Sequence, residues 1–441
     1  MVKKRRYLDL DSISGETCLR TVRDLCGLGV RFAGSGAEQK AAIWIEDRFK
    51  EMGLTSVQRQ EFPCLTFESS RCRLSVWSGK SWRTVAAEPA AHSRPTPKGG
   101  LQSDLMVVEQ IPPTARACRK LMRGRAVLLY CSHLFRIDVF KRVMAASPAA
   151  LLLVDDRFPN DWTVAIGFPR YWVDLISCPV VNVAYTTAWE MVRGKRSRIR
   201  LEMVCRAGPA TSQNVIAESA GSLSPEEIIV ISAHHDSVLN NPGADDNCSG
   251  VAAVLELARL FSTVQSRRTL RFLSYGAEEQ LSEGAKYYAL HAPDLDQIQF
   301  VLNIDAVGAW MGHTGIYYVG PTGLRKTLRQ VNRQAHFPGR LIAELSPFSD
   351  HFPLTLSGIP SVWYYRTTFL AARHYHHSRL ETPDVISPQV LERTIAQQAL
   401  LLQRVANEKP MPFPRELPRK WMNSLSKMGR DWYGLDRLSE L

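Results

Sequence analysis

Apolar residues recur along this chain with two different periods, and the change from one to the other divides it. Near the start, Ala42, Ile45, Phe49 and Met52 fall on one helical face. Ser35 and Glu38 have capping-box spacing and Gly53 supplies a stop, so a helix is predicted over Gly34–Gly53. The SVQRQEF that follows (56–62) reads as a strand. From about 63 to 208 the texture changes. Short apolar runs (RLSVW, RAVLLY, AALLLV, CPVVNVAY) are separated by Pro- and Gly-rich turns, with one helix predicted near 135–146. This block is expected to be a self-contained insertion, small and β-rich with some helix.

From about 214 to 407 the pattern becomes strand, loop, helix. Strands are predicted at 227–233 (EIIVISA), 270–276 (LRFLSYG), 300–308 (FVLNIDAVG) and 360–365 (PSVWYY). The clearest helix between them is 250–261, with Val251, Val254, Leu255, Ala258 and Phe261 on one face, and a last helix is expected over 388–407. Such alternation predicts an α/β protein with helices on both faces of a mixed, mostly parallel sheet. The expected organisation is 1–62 and 209–409 as one main domain, 63–208 inserted in it, and 410–441 as a basic, Pro-containing tail that either covers a subunit surface or lacks order.

Bulk properties narrow this only a little. A length of 441 residues suits two domains, and 45% hydrophobic with 22% charged residues is ordinary for a globular chain. The formal charge of +12 raises the question of an anionic partner, but the cations are scattered as KKRR, RRTLR and PRELPRK. No basic block interleaved with aromatics is present, so nucleic-acid binding is not expected. Nine cysteines, odd in number and without a CxxC pair, argue against a disulfide framework and fit a reducing compartment. The basic start leads into YLDLDSISGET, which has no apolar signal core, and runs such as AALLLV are too short to span a bilayer. A cytoplasmic location without a membrane segment is the expectation; the oligomeric state stays open.

Chemistry clusters at the strand ends of the second block. The groups are AHHDS (233–237), PGADDNCSG (242–250), GAEEQ (276–280), NIDAVG (303–308) and HYHHSRLET (374–382). In an open α/β sheet the loops beyond the carboxyl ends of the strands converge on one crevice. Imidazole and carboxylate are suitable zinc ligands, and two metals sharing one carboxylate can clamp a water while a free carboxylate acts as base. The tandem Glu278 and Glu279 can supply one base and one ligand. Gly243 and Gly250 are expected to let the loop between them bend tightly. An HxD pair alone is more often a hydrogen-bonded pair than a metal site; the company of the other groups reverses that.

Other polar residues are given plainer expectations. Ser349, Asp350 and His351 are contiguous, which is poor geometry for a catalytic triad, and are read as a helix cap and cleft wall. His291, His313 and His336 have no evident partners and are placed on the surface. Arg366, Arg373 and Arg379 could clamp a substrate carboxylate, but exposure or pairing with acidic neighbours is the expected state. Cys248 is read as packing.

Taken together, AHHDS, PGADDNCSGVAAVLELAR, GAEEQLSEGAKYYA, NIDAVG, SDHFPL, GIP and HHSRLETPD resemble the M28 zinc peptidases in order and spacing over about 215–407. That family includes aminopeptidases and glutamate carboxypeptidases. RFAGSGAEQKAAIWIEDRFKEMGL is similar to its N-terminal helix. The resemblance implies the three-layer α/β/α zinc exopeptidase fold, two zinc ions per chain and a peptide substrate. It implies His234, Asp246, Glu279, Asp305 and His377 as ligands, with Asp246 bridging and Asp245 not. Glu278 is then the general base and Asp236 the group that orients His234. Where the family often has Tyr before the last histidine, this chain has His376, with Tyr375 one further back, so His376 becomes a candidate to stabilise the oxyanion. The doublet offers two histidines for one ligand position, of which His377 is favoured. The 63–208 block resembles a protease-associated domain. The implied activity is that of an aminopeptidase; a carboxypeptidase of the same family, a non-catalytic binding protein and a glutaminyl-cyclase-like transferase are the alternatives. An intact GADDN and a complete ligand set speak for the hydrolase.

Overall fold

The computed structural model describes residues 8–194, 198–335, 337–368 and 374–435. His336, Arg373 and the last six residues of the tail lie outside them. Two compact units are present. One comprises the chain up to Cys64, Ala210–Tyr375 and the chain from Arg379; the other comprises Leu65–Pro209 with His376–Ser378.

The first unit is built on one mixed sheet. Its strand order is Arg340–Ile342, His313–Val319, Ser361–Thr367, Ile298–Asp305, Ser224–His234, Arg268–Tyr275 and the end of Arg198–Ser219. Neighbours are parallel except at His313–Val319 with Ser361–Thr367 and at Arg268–Tyr275 with Arg198–Ser219. The central strands are apolar on both faces, as burial under two helical layers requires. Ile229, Ile231, Phe272, Leu302 and Ile304 pack toward helices Gly15–Gly27, Gly36–Glu51, Gly250–Ser262 and Pro388–Asn407. Ile228, Val230, Leu273, Tyr275 and Val301 pack with Ala285, Tyr288, Phe352 and Leu425 from the helices of the other layer. Three central strands, ending at His234, Tyr275 and Asp305, run in parallel and therefore deliver their following loops to one edge.

The helix predicted over Gly34–Gly53 spans Gly36–Glu51, with Ser35 Oγ accepting the Glu38 N–H at 3.2 Å. Glu38 returns its carboxylate to the Gly34 N–H at 2.7 Å. The strand predicted over 56–62 is much longer, Thr55–Trp77, because its β-compatible sequence continues through FPCLTFESS. The tail expectation is corrected for the described residues. Phe413 packs edge-on to Phe300 with ring centroids 5.4 Å apart, and Tyr433 stacks on Phe352 at 5.1 Å. Helix Met422–Met428 contributes the buried Leu425. This segment packs onto its own unit through these residues, Phe413 in the first core layer and Leu425 and Tyr433 in the second. The pattern also passed over helix Gly15–Gly27, capped by Ser14, and helix Thr322–Gln334, whose sparse apolar residues Leu324, Leu328 and Val331 are nonetheless buried.

The second unit has Leu101–Val107, Ala126–Tyr130, Ala150–Val154 and Val180–Val183 as successive parallel neighbours, with Ala87–Pro89 antiparallel at one edge. Helix Ile137–Ala145 lies where the pattern placed one. No helix among the described residues is long and apolar enough to cross a membrane.

Candidate metal centre

Strand Ser224–His234 ends on a fully buried imidazole. His234 Nε2 lies 3.0 Å from Asp246 Oδ1 and 3.8 Å from both Glu278 Oε2 and Asp305 Oδ1. Its Nδ1 lies 3.4 Å from Asp236 Oδ1. Neither ring nitrogen has a well-aligned hydrogen bond, nor does Asp305 Oδ1. Single ligand atoms of His234, Asp246 and Asp305 fall within 4.8 Å of one another, as do those of His234, Glu278 and Glu279. Buried polar atoms left without hydrogen bonds are costly in a folded protein unless something else satisfies them. A divalent cation would do so here, and the nitrogen and oxygen donors match the preference of zinc.

Electrostatics says the same. Burial alone would push the His234 pKa down, but Glu278 and the close carboxylates of Asp236, Asp246 and Asp305 hold it well above the usual histidine range. Burial raises the Glu278 carboxyl well above its ordinary value; His234 opposes this, while Asp350, Glu279 and Asp305 add to it. Four carboxylates around one imidazole concentrate negative charge that a cation would relieve.

The loops carrying these groups are held by side chains whose bonds go to backbone. Asp236 Oδ1 accepts the Glu278 N–H at 2.9 Å and Oδ2 the Glu279 N–H at 3.1 Å. Asp236 thus fixes the tandem glutamates as well as touching His234, a second task the sequence did not reveal. Ala277, Leu281 and Ser282 on either side of the pair have φ of 54°, 71° and 49°, a left-handed backbone that non-glycine residues adopt at a cost. Glu38 supports this bend from the N-terminal helix, accepting from the Ala277 N–H as well as from Ser212 Oγ and the Gly34 N–H.

Burial and the neighbouring Asp236 carboxylate push the Glu38 pKa from 4.5 up to about 8. The folded chain therefore binds this proton more tightly than the unfolded one. The associated stability is complete below 4.5 and is lost as pH rises through about 8. Glu38→Gln, neutral at every pH, should flatten that part of the profile, read by urea unfolding at about pH 5 and about pH 9.

Asp245 and Asp246 have separate uses. Asp245 Oδ1 accepts the Gly308 N–H at 2.8 Å, while Asp246 faces His234. The Asp246–Asn247 peptide is cis. Asn247 Nδ2 donates to Ile304 O, and its Oδ1 accepts from Gly250 N and Ala306 N, tying this loop to the strand that ends at Asp305. Glu381, given no role by the sequence, takes the backbone N–H groups of Asp245 at 3.1 Å and Asp246 at 2.6 Å, and Asn241 Nδ2 at 3.2 Å. A lone acidic residue after a histidine group carries no signal that its partner is a distant backbone.

The two glycines of this loop work differently from each other. Gly243 is left-handed at φ 61°, as expected of a tight bend. Gly250 is helical, and what matters is its size: a Cβ there would meet Asn247 Oδ1 at 2.2 Å and Ile304 O at 2.4 Å. Gly250→Ala should cost about 1–3 kcal/mol by overpacking, measured by urea unfolding.

Two further expectations change. Ser349 is no helix cap: its hydroxyl donates to Asp305 Oδ2 at 2.8 Å and accepts from Asn303 Nδ2 at 2.7 Å, and Asp350, which precedes helix His351–Leu356, makes no side-chain cap bond. Arg366 is neither exposed nor paired with an acid. It is buried, and its guanidinium donates to Ala309 O, Trp310 O and Thr314 Oγ1. Arg379 is exposed, as are His291 and His313. The turn His376–Ser378 belongs by its contacts to the second unit. There His377 Nδ1 lies 3.1 Å from Ala165 O, and His376 and His377 stack with ring centroids 3.6 Å apart.

The fold is that of solved zinc aminopeptidases. A zinc aminopeptidase from Bacillus subtilis superposes with a TM-score of 0.73 at 23% identity, covering 92% of this chain and 97% of the other. A peptidase M28 precursor from Shewanella amazonensis gives 0.77 at 21%, covering 92% and 98%. Residues 214–402 match the model of peptidase family M28, and the chain is a hydrolase of the peptidase class. Among curated relatives, aminopeptidase YwaD of Bacillus subtilis is 26% identical over 391 residues, 83% of this chain and 81% of its own. Carboxypeptidase Q of Mus musculus is 25% identical over 409 residues, 87% and 84% respectively.

Proposed function

We propose that the chain is a co-catalytic two-zinc exopeptidase that removes N-terminal residues from peptides. The observation that carries this reading is the buried His234 imidazole with Asp246, Glu278 and Asp305 converging on its Nε2. His234 and Asp305 would hold one zinc, Glu279 and His377 the other, and Asp246 both; His377 enters on the family resemblance alone. Zinc in such a site lowers the pKa of water and polarises a carbonyl.

The chain's own residues do the rest. Glu278, not needed as a ligand, takes a proton from the attacking water and passes it to the leaving amine. Burial raises its pKa, which suits a group that must both accept and return a proton. Asp236 holds the backbone of Glu278 and Glu279 still while this happens, so that base and ligand keep their separation. His376 is the candidate to stabilise the oxyanion.

Similarity to aminopeptidase YwaD over most of both chains supports the amino-terminal reading. Similarity to carboxypeptidase Q supports the second, a carboxypeptidase. That reading gains nothing from Arg366, whose donors are committed to Ala309, Trp310 and Thr314. A panel of aminoacyl anilides and N-blocked peptides with free carboxyl ends decides between them. Hydrolysis of the anilides alone is expected. Cleavage confined to the N-blocked peptides would replace the aminopeptidase with the carboxypeptidase.

A further inference from the structure

Behind the ligand loop, two cysteines from distant parts of the chain meet. Cys26, near the end of helix Gly15–Gly27, places its Sγ 3.8 Å from Cys248 Sγ and 3.5 Å from Pro242 O. Cys248 is buried and Cys26 half-buried. The wholly buried Arg31 binds the same two segments. Its guanidinium donates to Leu25 O beside Cys26, and to Pro242 O and Gly243 O at the head of the ligand loop. The two thiols therefore sit on segments anchored by one side chain, and the half-buried one gives a small oxidant a way in.

We infer that Cys26 and Cys248 form a reversible oxidation site for a peroxide-class oxidant, and that oxidation slows the adjoining metal centre. The thiol that meets the peroxide first loses two electrons and becomes a sulfenic acid, releasing water. The second sulfur attacks it and a second water leaves. In balance, two thiols and one hydrogen peroxide give one disulfide and two waters. A disulfide needs its sulfurs about 2.05 Å apart, so the 3.8 Å contact must close. Closure draws Cys248 toward the helix. Asn247, bonded to Ile304 and Ala306, and Asp246, facing His234, are the next residues along the chain. A ligand loop displaced in this way holds metal less well, since partners that orient ligands are commonly worth 10–100-fold in affinity (~10-fold is expected here).

The effect on turnover rests on the peptidase reading; the disulfide and its effect on zinc do not. The test treats the zinc-loaded full-length protein with hydrogen peroxide, maps non-reduced peptides by mass spectrometry and follows zinc release to a chromogenic chelator, with peptidase activity alongside. The expected result is a Cys26–Cys248 linked peptide, faster zinc release and about 10-fold lower activity, all reversed by dithiothreitol. Cys26→Ser should show untreated activity and zinc retention like the parent and resist the treatment. Absence of the linked peptide, a linked peptide with unchanged zinc release, or equal sensitivity of Cys26→Ser would each overturn the proposal. Should the chain cleave no peptide at all, the linked peptide and zinc release still decide it.

Discussion

Glu278→Gln is expected to lower kcat by about 10³-fold while zinc content stays that of the parent. The substitution is nearly isosteric and removes the ability to carry a proton between water and leaving group. Glu278 lies 3.8 Å from His234 Nε2, and its backbone is fixed independently by Asp236, so the amide should occupy the same place. KM should change little, because the role assigned to Glu278 is in proton transfer and not in binding. Steady-state kinetics on an aminoacyl anilide with metal analysis of the same preparation check this. A variant that loses its zinc together with its activity would make Glu278 a ligand instead.

Asp236→Ala should damage the centre more broadly. The carboxylate accepts two backbone N–H groups and lies beside His234 Nδ1. Its removal strands those buried donors, each costing about 1–3 kcal/mol, and releases the imidazole from its orientation. Zinc affinity should fall about 10–100-fold, with activity at limiting metal falling in parallel. Thermal unfolding and chelator competition measure the two effects. Asp236→Asn should be milder on stability, since its amide oxygen can still accept one of the N–H groups.

How much of this was legible in the sequence depends on the range of the interaction. Periodicity found the four predicted strands of the main sheet and helices 250–261 and 388–407, because their apolar faces follow the local repeat. It stretched poorly to Thr55–Trp77, whose burial alternates irregularly, and missed helix Thr322–Gln334, where three buried apolar residues stand among arginines and glutamines. Strand-end clustering singled out five short polar motifs, because polar groups after apolar runs are a local signal; the choice of His234, Asp246, Glu278, Glu279 and Asp305 within them came from the M28 resemblance. The hydrogen bonds of Glu381, Asn247, Ser349 and Glu38 were out of reach. Each runs from a common polar residue to a group far along the chain, as Glu381 does to Asp246 across 135 positions. Arg366 was misplaced for a related reason: a cation satisfied by backbone carbonyls leaves no acidic partner to find in the sequence.

Two zinc ions held by these residues would be visible directly. Anomalous diffraction at the zinc edge from crystals of the zinc-loaded protein is the test. Two peaks about 3.5–4 Å apart are expected, one against His234 and Asp305, the other against Glu279 and His377, with Asp246 next to each. A single peak, or peaks away from His234 and Asp246, would contradict that arrangement.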